Sequence, residues 1–198
     1  MSKAIIDRRE ALKRATFLMG GTLSAPTILA ILNGCTAKPG LDWIPNFFNE
    51  RQALAVTRVA DIIIPATNTP GASQVGVPAF IEQVVKDCYT PENQQRFLAE
   101  LDSFIDGSVT DFGKEFTRLS SERQLDYVTR IHNVAVESEK ANPENYKRPF
   151  ILMCKELTLS GFLTSQVGAE QVLQYQAVPG SYEGCITLEE AGGKAWAT

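Results

Sequence analysis

TPENQQRFLAELDSFIDGSVTDF, residues 90–112, carries a long helical pattern that points to the fold class. Phe97, Leu98, Leu101, Phe104, Ile105 and Phe112 recur at the spacing of an amphipathic α-helix, and Thr90-Pro91 supplies an N-cap followed by a proline suited to the first turn. The same spacing makes Phe97, Phe104 and Phe112 core residues and not an aromatic box for a cofactor.

The pattern continues on both sides. Toward the N-terminus, Phe80, Ile81, Val84, Val85 and Cys88 form an apolar face flanked by Glu82, Gln83, Lys86 and Asp87, with Pro78 as the first helical residue. Before it, a helix over residues 49–63 carries Leu54, Val59, Ile62 and Ile63 on one side and stops at Pro65, and residues 66–76 form a polar loop centred on Thr69-Pro70-Gly71. Toward the C-terminus, Ser121 and Gln124 have capping-box spacing ahead of Leu125, Val128, Ile131 and Ala135. After Asn142-Pro143, a last strong helix holds Phe150, Met153, Cys154 and Leu157 and ends near Phe162. With no repeat and no run of alternating strands, the expected architecture is all-α: one domain of about five helices over residues 49–198 with an irregular C-terminal tail.

The tail, from about Gln176 to Thr198, has no period. Irregular segments of this length are uncommon in compact domains and tend to be functional. Tyr182 and Trp196, with Tyr175, suit a partner interface, since Tyr and Trp are enriched where interfaces concentrate binding energy. The alternative is a tail folded back on its own helices.

Residues 1–35 have the three parts of an export signal: a basic start, an apolar middle and a small-residue exit. Gly20, Gly21, Thr22, Ser24 and Pro26 dilute the middle too far for a stable membrane span. Asp7-Arg8-Arg9-Glu10-Ala11-Leu12-Lys13 resembles a twin-arginine motif read through Arg8 and Arg9, the alternatives being an ordinary secretory signal whose arginines are only its basic start, or a basic amphipathic N-terminal helix. Leu32-Asn33-Gly34-Cys35 closes the segment in the manner of a lipoprotein signal, with Cys35 the candidate lipidation site; cleavage after Ala37, or none, are the alternatives. Residues 36–48, aromatic and broken by Pro45, read as a linker.

Formal net charge is −4, but residues 1–34 hold five basic side chains against two acidic ones, so residues 35–198 carry −7. Phosphate recognition demands clustered Lys and Arg, and an acidic body argues against a nucleic-acid partner.

Cys35, Cys88, Cys154 and Cys185 lie in no C-x-x-C spacing, which removes the usual signatures of a zinc ribbon, a thioredoxin-like site and c-type haem attachment. In an oxidising compartment one disulfide and one buried thiol is the simplest arrangement once Cys35 is lipidated. Cys154–Cys185 is the favoured pair, with Cys88 a competitor and three reduced thiols the remaining alternative. His132 is a lone histidine without a neighbouring nucleophile and is assigned no role. Residues 71–76 have the two-glycine frame of a phosphate loop, but Val77-Pro78 replaces the required Lys-Ser/Thr, and no dinucleotide, zinc-protease or hydrolase motif occurs. Asp61, Glu189 and Glu190 read as solvated surface. No catalytic, cofactor-binding or metal-binding residue is assigned in this chain.

Two segments carry a resemblance: Ala60-Asp61-Ile62-Ile63-Ile64-Pro65-Ala66-Thr67-Asn68-Thr69-Pro70-Gly71-Ala72 with Gly76-Val77-Pro78-Ala79-Phe80-Ile81, and Lys155-Glu156-Leu157-Thr158 with Gly161-Phe162-Leu163-Thr164-Ser165 and residues 178–185. Together they resemble gluconate 2-dehydrogenase subunit 3 proteins. The resemblance implies a small, non-catalytic subunit that binds a large FAD-containing dehydrogenase of the glucose-methanol-choline type, often beside a cytochrome c subunit. Its signal would escort that partner to the periplasm, where the complex is membrane-associated. A free-standing exported lipoprotein is the competing expectation.

Overall fold

The computed structural model describes residues 41–143, 146–178, 180–181 and 184–197. Arg8, Arg9, Cys35 and the first part of the expected linker lie outside them, as does Tyr182. The described residues form five α-helices, α1 (Glu50–Ile63), α2 (Val77–Cys88), α3 (Pro91–Phe112), α4 (Ser121–Ala141) and α5 (Phe150–Leu163), with 3₁₀ turns at Ser73–Val75 and Phe116–Arg118. The described residues contain no β-strand, only one isolated bridge, so the domain is all-α as expected.

α5 is the hub. It packs against each of the other four helices, and its first half is buried nearly all round, from Phe150 through Cys154. Around it runs a continuous aromatic chain. Phe48 stacks on Phe97 at 5.9 Å between ring centroids, Phe97 meets Phe150 edge-on at 5.5 Å, and Phe150 meets Phe104 at 5.3 Å. Phe104 then contacts Phe116 and Tyr127, each at 5.0 Å. Offset and edge contacts of this kind are favourable beyond the area they bury. The Tyr127 hydroxyl, deep in the cluster, donates to the Phe104 carbonyl at 2.7 Å, which satisfies it.

Helix starts are set by local chemistry. Thr90 caps α3 through the Asn93 N–H, with Pro91 in the first turn. α4 is capped by Ser120, which accepts from the Arg123 N–H, and not by Ser121; Gln124 is turned inward and donates to the Phe116 carbonyl at 2.9 Å. The capping box is instead at α1, where Asn49 accepts from the Gln52 N–H and the Gln52 side chain accepts from the Asn49 N–H.

Burial departs from the expected stripes in three places. α1 touches four helices, so its buried face is broad and built of small residues, Ala53, Ala55, Val56, Val59 and Ala60, while Leu54, Ile62 and Ile63 are only half-buried. Leu125 on α4 and Cys88 on α2 are exposed, at the rims of their helices' buried faces.

The segment 41–48 is a packed strap and not a free linker. Phe48 is buried, and Leu41, Trp43 and Phe47 lie against the core. Glu82 holds it: this buried carboxylate accepts from the Phe48 N–H at 2.7 Å, the Phe47 N–H at 2.8 Å and the Asn46 N–H at 3.0 and 3.1 Å. An anion at the start of α1 is also favoured by the helix dipole.

The loop between α1 and α2 is equally constrained. Asp61 Oδ1 accepts from the Ser73 N–H at 2.9 Å, so it is a structural cap and not solvated surface. Gly71 sits so close to the chain that a β-carbon there would lie 2.9 Å from the Ala66 nitrogen. The crossing of α2 and α5 also depends on a glycine, since a β-carbon at Gly161 would lie 2.5 Å from Phe80 Cδ1.

Candidate partner-binding surface

α5 ends where Ser165 turns back on it. The Ser165 hydroxyl donates to the Phe162 carbonyl at 2.6 Å and accepts from the Gly168 N–H at 3.1 Å, leading into a π-turn at Gly168–Val172. From there the chain leaves the helices, and its last residues return to it. Gln174 and Trp196 form a parallel bridge, with the Gln174 N–H donating to the Ala195 carbonyl and the Ala197 N–H donating to the Gln174 carbonyl, both at 2.8 Å. Lys194 Nζ donates to the Gln171 carbonyl at 2.6 Å. Between these points Thr187 and Glu190 make a reciprocal turn: Glu190 accepts from the Thr187 N–H and hydroxyl, and Thr187 accepts from the Glu190 N–H. Those bonds hold the Glu190 carboxyl below its usual range.

The tail is therefore fastened to itself and to the segment after α5 by backbone bonds. It presents apolar surface outward, with Trp196 42% and Leu188 63% exposed, and with Tyr175, Val178 and Ile186 also exposed. Exposed apolar side chains that gather into one patch mark contact surfaces more often than scattered ones do.

The expected Cys154–Cys185 bridge is absent. Cys154 is completely buried inside the helical core, whereas Cys185 and Cys88 are exposed, and all three are free thiols. The packing that makes Cys154 a small core hydrophobe keeps a surface tail from reaching it. Burial pushes its thiol up to about 12, partly opposed by Thr158.

A second feature was not foreseen. The C-terminal end of α1, the outer side of α4 and the middle of α5 enclose a groove of about 230 Å³. Ile62, Ile63, Leu125 and Val128 supply apolar walls, and His132 Nε2 lies 2.9 Å from Lys155 Nζ at its edge. His132, unassigned from sequence, thus faces a lysine 23 positions away. Leu125, Val128 and His132 do share a helical stripe on α4, but nothing local marks Lys155 as their neighbour. Among the described residues, no three His, Cys, Asp or Glu side chains come together in a way that could hold a metal ion, and no helix is long and apolar enough to cross a membrane.

A family model described as Gluconate 2-dehydrogenase subunit 3 matches residues 50–180, from the first residue of α1 to the beginning of the tail. No curated protein and no solved structure matches the chain.

Proposed function

The chain belongs to the gluconate 2-dehydrogenase subunit 3 family, and on that premise we propose that it is the non-catalytic accessory subunit of a periplasmic, membrane-associated dehydrogenase complex that supports export and stability of a large catalytic subunit. That partner is a flavoprotein of the glucose-methanol-choline type carrying FAD, with a cytochrome c subunit as a further member. Arg8 and Arg9 supply the export address for the assembled pair, and Cys35 supplies a lipid attachment.

The observation that carries the reading is the division of labour within the domain. The contiguous core ends at Phe162, while beyond it the backbone-fastened chain leaves Tyr175, Leu188 and Trp196 exposed. A surface ordered without belonging to the core suits docking against another chain.

The test is co-purification from a membrane extract, reading flavin absorbance in the captured complex, with the full chain and with a chain lacking residues 186–198. The truncated chain is expected to keep its helical content and lose most of the flavoprotein. Full capture by the truncated chain, or unfolding of it, refutes the tail assignment. Failure of the full chain to capture any flavoprotein refutes the accessory-subunit reading.

A further inference from the structure

We propose that the groove between α1, α4 and α5 is a second contact site for the same partner, and that it receives an acidic side chain of the dehydrogenase subunit carried beside an apolar anchor. The proposal rests on the accessory-subunit reading for the partner's identity, but on the groove's own chemistry for what enters it.

The groove is small for an organic ligand. Cavities for small organic ligands run to about 300–1,000 Å³, and this groove offers about 230 Å³. It is open along one side and matches the scale of a side-chain anchor, which is how protein interfaces use such pockets.

Charge selects among anchors. Arg51, Arg118, Arg130, Lys140 and Arg148 each pair with a carboxylate, whereas among the described residues the half-buried Arg58, Arg96 and Lys155 do not, and of these three Lys155 lines the groove. Lys155 is half-buried on the most apolar helix, has no carboxylate within ion-pair distance among the described residues, and sets its Nζ against another basic nitrogen, His132 Nε2. In that contact the ammonium donates and the imidazole accepts. The Lys155 charge is left without a counter-ion in a body of net −7. A carboxylate entering the groove gains an ion pair shielded from water by Ile62, Ile63 and Val128, where such pairs are stronger than on open surface. The apolar walls, with Leu125 more than half exposed, cover the aliphatic or aromatic residue next to it.

Binding of the co-purified flavoprotein subunit to the full chain tests this, using Lys155→Glu, Lys155→Arg and Leu125→Ser. Lys155→Glu is expected to weaken the complex at least tenfold, Lys155→Arg to stay within about threefold of wild type, and Leu125→Ser to weaken it several-fold without changing the melting temperature, since its side chain is outside the core. If Lys155→Glu lowers the melting temperature, the exposed Leu125→Ser variant decides. Wild-type affinity in both Lys155→Glu and Leu125→Ser overturns the groove assignment and leaves the accessory-subunit reading standing. Absence of any complex with the wild-type chain overturns both.

Discussion

Replacing Glu82 tests whether the strap is part of the fold. In the native chain its carboxylate is buried and accepts three backbone N–H groups, of Asn46, Phe47 and Phe48, all 34–36 residues away. Hydrogen bonds to charged groups contribute about 1.5–3 kcal/mol each net. Glu82→Ala leaves the Phe48 N–H buried without a partner, while water reaches those of Asn46 and Phe47, which are part-exposed. One full loss and two discounted ones, offset by removal of a buried charge, give roughly 3 kcal/mol. For a domain of this size that is about 6–12 °C in melting temperature. Glu82→Gln keeps one acceptor oxygen but turns an NH₂ toward the donors, and about half the loss is expected. Thermal unfolding followed by circular dichroism measures the total, and amide exchange at Phe47 and Phe48 locates it. A Glu82→Ala chain that melts within about 2 °C of wild type, with those amides still protected, would mean that the strap does not depend on this carboxylate and that the reasoning is wrong.

Gly161→Ala puts a methyl group into the Phe80 ring at the α2–α5 crossing and is expected to cost about 1–3 kcal/mol, read by urea unfolding; Phe80→Leu in the same chain should recover part of it. Cys154, raised from 9.0 to about 12 by burial, stays protonated in the folded chain while the unfolded thiol ionises. Its contribution is therefore full below pH 9 and is lost as pH rises toward 12, at about 1.4 kcal/mol per pH unit. Unfolding curves at pH 9 and 10 should differ by less in Cys154→Ala than in wild type, and an equal difference refutes the assignment. Arg8→Lys with Arg9→Lys should leave both this chain and its flavoprotein in the cytoplasm, as followed by fractionation; normal export of the double variant counts against a twin-arginine address. Cys35→Ala should release the protein from membranes, and unchanged membrane association with no labelled lipid on the wild type argues against lipidation.

The five helices were legible because the information that makes a helix is local. Apolar spacing, Thr90-Pro91 before α3 and Pro65 after α1 act within one or two turns, so the chain from Glu50 to Leu163 can be divided without knowing how it packs. The core status of Phe97 and Phe104 follows from the same spacing. α5 differs: the sequence marked Phe150, Met153, Cys154 and Leu157 on it, but its first half is buried nearly all round because it lies at the centre. What tertiary structure alone decided is every pairing between distant positions. Glu82 has the spacing of a solvated flank, yet it is buried because the strap crosses α2 there. Asp61 looks like surface until the loop brings Ser73 to it. Cys154 and Cys185 are both plausible partners in a count of thiols, but one is sealed in the core and the other rides on the tail. The tail's return to Gln174 is made by main-chain groups that any sequence carries, so no residue type announces it. His132 and Lys155 sit on different helices, and only the angle at which α4 crosses α5 sets them 2.9 Å apart. Periodicity specifies which face of each helix is apolar, whereas the meeting of two faces depends on the crossing of the helices, which the chain reaches only by packing its whole core at once.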